Sequence, residues 1–349
     1  HYGVILICFA FGEEGIAGAM IVQSSIWLWA ALSKCTPHFP SVLCAMTSNS
    51  PILKHPRIRK QLYVHFPNDL RPSRSAHRLA QLGTLVEFAF PLLLLFGQGG
   101  IATTLGLGIM IIFHVYICSN LPAAVPLEWN AVTIYSGIFL FQNGGWHVYA
   151  FDSPLLILWL VTACFLVPLY CNLYPKTSSF LLGMRYYAGN WAYTTWLIRR
   201  KAFPKLDKIP RASRFAHEQL ESLYPPEIVY GVMQRVEAFR TLHLHGRILP
   251  HLIETALDGE EAHSYQIVDG ELIAGSLLGW NFGDGHLSGP NLLKAVQEIC
   301  RLDPGDIRII CVEAQPLFRK QMEWDIFDAA CGLQKNGEIS VSQLSEMKI

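Results

Sequence analysis

The chain has 349 residues, of which 51% are hydrophobic and 15% are charged. Charged residues make up about a quarter of an ordinary soluble domain, so this composition excludes a typical soluble enzyme and indicates a membrane protein. Basic and acidic residues balance at 27 each, for a formal net charge of zero, but the basic residues gather in two loops that flank apolar runs, which argues against nucleic acid as a partner.

The sequence begins at His1 rather than Met and enters at once on HYGVILICFAF, which reads as the end of a spanning helix whose start is missing. Glu13 and Glu14 mark a polar interface, and Ile16 to Ser33 supplies the next span, ending at Lys34. Pro51 to Arg78 then carries seven lysines and arginines against one acid, Asp69. An excess of lysine and arginine places such a loop on the cytoplasmic side, or its organelle equivalent. Leu79 to Cys118 reads as two apolar helices around the GQGG turn, each about long enough to cross a bilayer core. Asn130 to Gln142 opens a further crossing that runs into the QNGGW turn at Gly144 and Gly145, and Pro154 to Tyr174 is the last span. A second basic stretch, Lys176 to Arg214, is returned to the same side by the count of crossings.

Ser178 to Ile198 is aromatic and amphipathic, and is expected as a helix lying along the interface. From Leu206 the character is that of a soluble domain. Arg211 to Leu257 has helical spacing broken at Tyr224-Pro225-Pro226, and SYQIVDGELIAGSLLGW reads as two strands around Asp269-Gly270. Asn291 to Arg301 reads as a helix, Asp306 to Glu313 as a strand, and the stretch from Met322 as a hairpin turning at Asn336-Gly337. The expected fold is mainly α: a polytopic transmembrane helix bundle of about five or six spans over residues 1–175, an interfacial helix and basic linker over 176–205, and a small C-terminal α+β soluble domain over 206–349. The nine cysteines form no CxxC pair and lie largely in apolar segments, as buried free thiols do.

Ionisable residues at membrane depth are costly and mark function. Glu87 lies about 10 Å, and His114 about 6 Å, inside the basic-loop boundary at 1.5 Å of rise per residue. On successive antiparallel helices the two can meet, orient a polar lipid or quinone head, and act as general base and acid. The alternative is a hydrogen-bonded pair that only locks two helices together. Lys34 reads as a snorkelling side chain at a helix end, as a further catalytic candidate beside Glu87 and His114, or, with Arg71, as a holder of an anionic head. His38, Glu128 and Asn130 fall near the same face and complete the expected ligand-binding set, although Glu128 and Asn130 can also cap a helix and Asp69 can cap another. His243, His245, His251, Asp284 and His286 cluster in the tail, but helical segments would put His243 and His245 on different sides, and no metal site is expected. No nucleotide-binding, GxSxG or HExxH motif is present.

SKCTPHFPSVLCAMTSNSP, NDLRPSRSAHRLAQLGTLVEFAFPLLLL, FHVYICSNLPAAVPLEWN, MRYYAGNWA and GWNFGDGHL resemble an uncharacterised family of multi-pass membrane proteins best known from actinobacteria, and the resemblance covers nearly the whole chain. It implies no activity. The membrane half is also similar to the horizontally transferred transmembrane domain of vitamin K-dependent carboxylases and to DoxX-like proteins. That likeness implies a lipid or quinone pocket inside a helical bundle, with no catalytic lysine matched. The expectation is a membrane protein whose polar pocket, covered by the C-terminal domain, binds a lipid-like or quinone-like molecule, as an enzyme or as a binder. The competing expectation is an accessory subunit of a larger energy-transducing membrane complex, with other membrane subunits as partners.

Overall fold

The computed structural model describes residues 1–53, 55–120, 127–142, 151–280 and 285–348. The chain divides into two compact units: His1–Asn172 with Leu181–Gly189, and Leu173–Phe180 with Asn190–Ile349.

The first unit is built from α1 (Tyr2–Cys8), α2 (Glu14–Lys34), α3 (Phe39–Asn49), α4 (Pro56–Leu62), an antiparallel ribbon of β1 (Tyr63–His65) and β2 (Asp69–Pro72), then α5 (Arg74–Phe96), α6 (Ile101–Cys118) and α7 (Leu127–Phe141). It closes with α8 (Pro154–Val161), which passes through a π-helical turn, Thr162–Leu166, into α9 (Val167–Leu173). Among the described residues, four helical stretches are long and apolar enough to cross a membrane: α2, α5, α6 and Pro154–Leu173. α7 has 15 residues, and the turn expected after it at Gly144 and Gly145 lies outside the described residues.

α2 is the axis of this unit, because 72% of its apolar window is buried, against 28–33% for the other three spans. Its buried positions are mostly small, including Gly15, Ala17, Gly18, Ala19, Ser24 and Ser25. Lipid gives no hydrophobic drive between helices, so close backbone approach at small residues supplies the packing. α5 and α7 pack on α2, and α6 bridges α5 and α7. The first basic loop is folded rather than irregular, carrying α4 and the ribbon. Ser73 caps α5, its Oγ accepting from Ala76 N at 3.2 Å. Asp69, expected as a cap, lies at the start of β2, where its carboxylate accepts from Arg71 Nη2 at 2.6 Å.

In the second unit the order is β3 (Tyr193–Arg199), α10 (Phe203–Leu206), α11 (Ala216–Glu221), α12 (Pro226–Thr241), α13 (Leu249–Leu257), β4 (Tyr265–Asp269), α14 (Gly270–Leu278), α15 (Pro290–Cys300), β5 (Ile307–Val312), β6 (Gln321–Asp328), β7 (Gly332–Ser340) and α16 (Val341–Glu346). The strands form one sheet in the order β4-β3-β5-β6-β7, with every neighbour antiparallel. Both faces are covered. Tyr193, Leu197, Ile310 and Met322 pack with Leu249, Leu252 and Leu344 on one side, while Trp196, Ile198, Ile307 and Ile309 pack with Val229, Met233, Ile273 and Leu293 on the other.

Three expectations are corrected here. The interfacial helix expected over Ser178–Ile198 is absent: its first part is turns and its end is β3, an inner strand. A strand buried on both faces has no polar alternation to betray it, and six of the seven β3 residues are buried. The Asp269-Gly270 turn leads into a helix rather than a second strand, because Asp269 caps α14 by accepting from Glu271 N at 2.8 Å. The last hairpin turns at Ala329–Cys331, where Asp328 Oδ1 accepts from Ala330 N and Cys331 N at 2.9 and 3.2 Å. Asn336 and Gly337 lie inside β7, opposite Asp325 and Trp324. The Trp324 ring covers Gly337 so closely that a Cβ there would meet its Cζ2 at 2.6 Å. No cysteine pairs in a disulfide among the described residues, and Cys8, Cys44, Cys164, Cys171 and Cys300 are buried.

Candidate functional site

The buried face of α6 repeats at helical spacing through Thr103, Gly106, Met110, His114 and Ile117, and that of α5 through Thr84, Glu87, Phe90 and Leu94. His114 and Glu87 therefore share the stripes that pack these helices into the bundle. On α2, Trp27 and Lys34 stand seven residues apart, two turns along one face. These faces converge on a cavity of about 270 Å³ within the first unit. Its walls are Ile26, Trp27, Ala30, Ile117, Trp129, Leu181 and Leu182, and its polar lining includes Lys34, Glu87, His114, Asn130 and Tyr187.

Lys34 Nζ lies 2.5 Å from both carboxylate oxygens of Glu87, and the two side chains are 2% and 4% exposed. The rings of Phe39 and Phe113 lie 5.6 and 5.7 Å from the ammonium and flank it as cation–π partners. The snorkelling expected of Lys34 does not occur; its charge turns inward because a buried carboxylate compensates it.

A second polar run starts at Trp27, whose Nε1–H donates to His114 Nε2 at 3.0 Å. His114 Nδ1 lies 2.9 Å from Asn130 Oδ1, and Asn130 Nδ2 donates to Tyr187 Oη at 3.2 Å. The imidazole is thus held at both nitrogens. Burial pushes the Tyr187 phenol well above its ordinary value, so it stays protonated.

Lys34, Glu87, His114 and Asn130, named from the sequence, all line this cavity. The direct meeting expected of Glu87 and His114 is replaced by separate partners for each, Lys34 for the first and Trp27 with Asn130 for the second. Asn130 sits in the first turn of α7 with its side chain turned to His114. His38, Arg71 and Glu128 are not in the lining. His38 is fully buried ahead of α3, Arg71 holds Asp69, and Glu128 is exposed at the start of α7. Trp27 and Tyr187 were missed. Trp27 could have been found from its spacing to Lys34, whereas Tyr187 lies in a turn segment with no periodic signal.

In the second unit, His243 and His245 pack against Trp191 with ring centroids at 5.6 and 5.3 Å, and His286 bonds Glu313 at 2.9 Å. Asp284 lies outside the described residues. Among the described residues no group of three or more His, Cys, Asp or Glu could hold a metal ion. Arg240 on α12 is clamped by Asp269 at 2.6 Å and Glu271 at 2.9 Å, and the neighbouring Glu237 reaches Thr195 at 3.3 Å.

Residues 1–348 match the model of a family described as "Transmembrane protein of unknown function (DUF3556)". The chain belongs to this family. The match spans the residues of both units. No curated protein matches the chain, and no solved structure matches it.

Proposed function

We propose that the first unit binds the head of a lipid-like or quinone-like molecule in the cavity bounded by α2, α5, α6 and α7, with Lys34 and Glu87 as its proton-transfer groups and His114 as an orienting group. One observation carries the reading: a fully buried ion pair and a tethered imidazole face the same apolar-walled space of about 270 Å³. A buried ion pair is a poor way to stabilise a fold, and ionisable groups at membrane depth mark functional paths. Apolar walls with a few convergent polar groups are the usual make-up of a small-molecule site. Transfer of a proton from Lys34 Nζ to the Glu87 carboxylate leaves the pair's net charge unchanged, whereas a proton given to a bound head leaves the pair with one negative charge beside the protonated head, which stays close enough to compensate it. The basic loops and the sheet unit belong, in this reading, on the cytoplasmic or organelle-equivalent side.

The test is extraction of bound amphiphiles from the purified full chain, with identification by mass spectrometry. The expected result is a near-stoichiometric amphiphile that is lost on filling the cavity with Ala30→Phe and depleted in Glu87→Gln. An amphiphile retained undiminished in both variants refutes the site. A stable stoichiometric protein complex carrying no small molecule would favour the accessory-subunit reading instead.

A further inference from the structure

The hydrogen bonds around His114 run in one direction. An indole N–H can only donate, so the nitrogen it meets, His114 Nε2, carries no hydrogen. The imidazole hydrogen is then on Nδ1, where it donates to Asn130 Oδ1. That fixes the amide, whose Nδ2 donates to Tyr187 Oη. Each link uses the acceptor of the next group, and the run ends at a phenol that has accepted one bond and still has its own O–H hydrogen to give. Tyr187 lines the cavity, and its backbone sits in the left-handed region at φ 55°. For a bulky side chain that conformation is strained and persists only where the surroundings impose it.

The charge balance of the lining bears on the same question. Two oppositely charged side chains of the lining, Lys34 and Glu87, neutralise one another at 2.5 Å. A carboxylate or phosphate entering this space would have to displace Glu87 or remain an uncompensated buried charge, and either is costly. The ammonium has three hydrogens, and the carboxylate occupies two bonding directions, so Lys34 has a further N–H to donate. Lys34 and Glu87 thus offer the cavity a spare donor and no net positive charge.

Resting on the pocket reading above, we infer that the cavity selects an uncharged amphiphile through an oxygen acceptor, a ketone, quinone or ester carbonyl, which receives the Tyr187 hydroxyl hydrogen. Tyr187 is thereby a ligand-binding residue, oriented through Asn130, His114 and Trp27. The anionic head that Lys34 could have held is excluded by Glu87.

The experiment titrates the full chain in detergent with a long-chain alkyl benzoquinone and, separately, with a fatty acid of matched length, reading quenching of tryptophan fluorescence, since Trp27 and Trp129 line the cavity. The quinone is expected to bind at least about tenfold more tightly than the fatty acid, and Tyr187→Phe to weaken it about tenfold, the worth of one hydrogen bond. Nitrogen NMR of His114 supplies a readout independent of folding variants: the hydrogen is expected on Nδ1. Preference for the fatty acid, quinone binding unchanged in Tyr187→Phe, or a hydrogen found on Nε2 overturns this inference while leaving the pocket in place. Failure of both probes to bind the wild-type chain overturns the pocket reading itself.

Discussion

Removing the Glu87 carboxylate should unfold the membrane unit far more readily than removing the whole ion pair. In Glu87→Leu the Lys34 ammonium, 2% exposed, is left without its counter-charge in the bundle. Breaking a buried pair from one side costs roughly 3–5 kcal/mol, which shifts the folding equilibrium by about two to four orders of magnitude. At roughly 2–4 °C per kcal/mol for a unit of this size, the melting temperature falls by on the order of 10 °C. Lys34→Met should cost about as much, since it strands the carboxylate. The double variant Lys34→Met/Glu87→Leu replaces two charges by apolar groups of similar volume and should return to within about 1 kcal/mol of the parent. Thermal melts of the full chain in one detergent, followed by circular dichroism, give the four corners of the cycle. Two single variants that each lose less than about 1 kcal/mol would refute the reasoning, as would a double variant whose loss equals their sum, because either result means that the pair is hydrated.

The sheet unit offers further tests. Burial, with Asp269 close by, pushes the Glu237 carboxyl up from 4.5 to about 8, so the folded state favours its protonated form. Its contribution is full below about pH 4.5 and is lost as the pH rises towards 8, by up to a few kcal/mol at about 1.4 kcal/mol per unit. Glu237→Gln should flatten that alkaline fall in denaturant midpoints measured from pH 4.5 to 9; an unchanged slope would show that the carboxyl is not buried as described. Gly285→Ala should cost about 3 kcal/mol or more, since the new Cβ would collide with the Tyr193 backbone, which no rotamer change can relieve; a loss below about 0.5 kcal/mol in chemical denaturation would disprove that packing. Ser73→Ala, which deletes the α5 cap, should cost about 1 kcal/mol, and an unchanged melting temperature would count against the cap.

Helical periodicity and apolar length were readable in the chain itself. The α5–α6 hairpin, the α2 span, and the burial of Glu87 and His114 all follow from residues three and four apart on one face. The faces of α5 and α6 were readable for the same reason: each polar residue falls in register with the buried stripe of its own helix. What needed tertiary structure is everything set by residues distant in sequence. Lys34 is 53 residues from Glu87 and Trp27 is 87 from His114, so no local rule could pair them, and Lys34 was expected to face the interface. β3 lost its strand signal because neighbours bury both its faces, and the Asn336-Gly337 dipeptide lost its turn because Trp324 lies across it. Local pattern determined the apolar helices and the buried stripes on which Glu87 and His114 fall. Packing decided which of those residues meet, because burial makes an unpaired charge or donor so costly that its partner must be found wherever the fold can supply one.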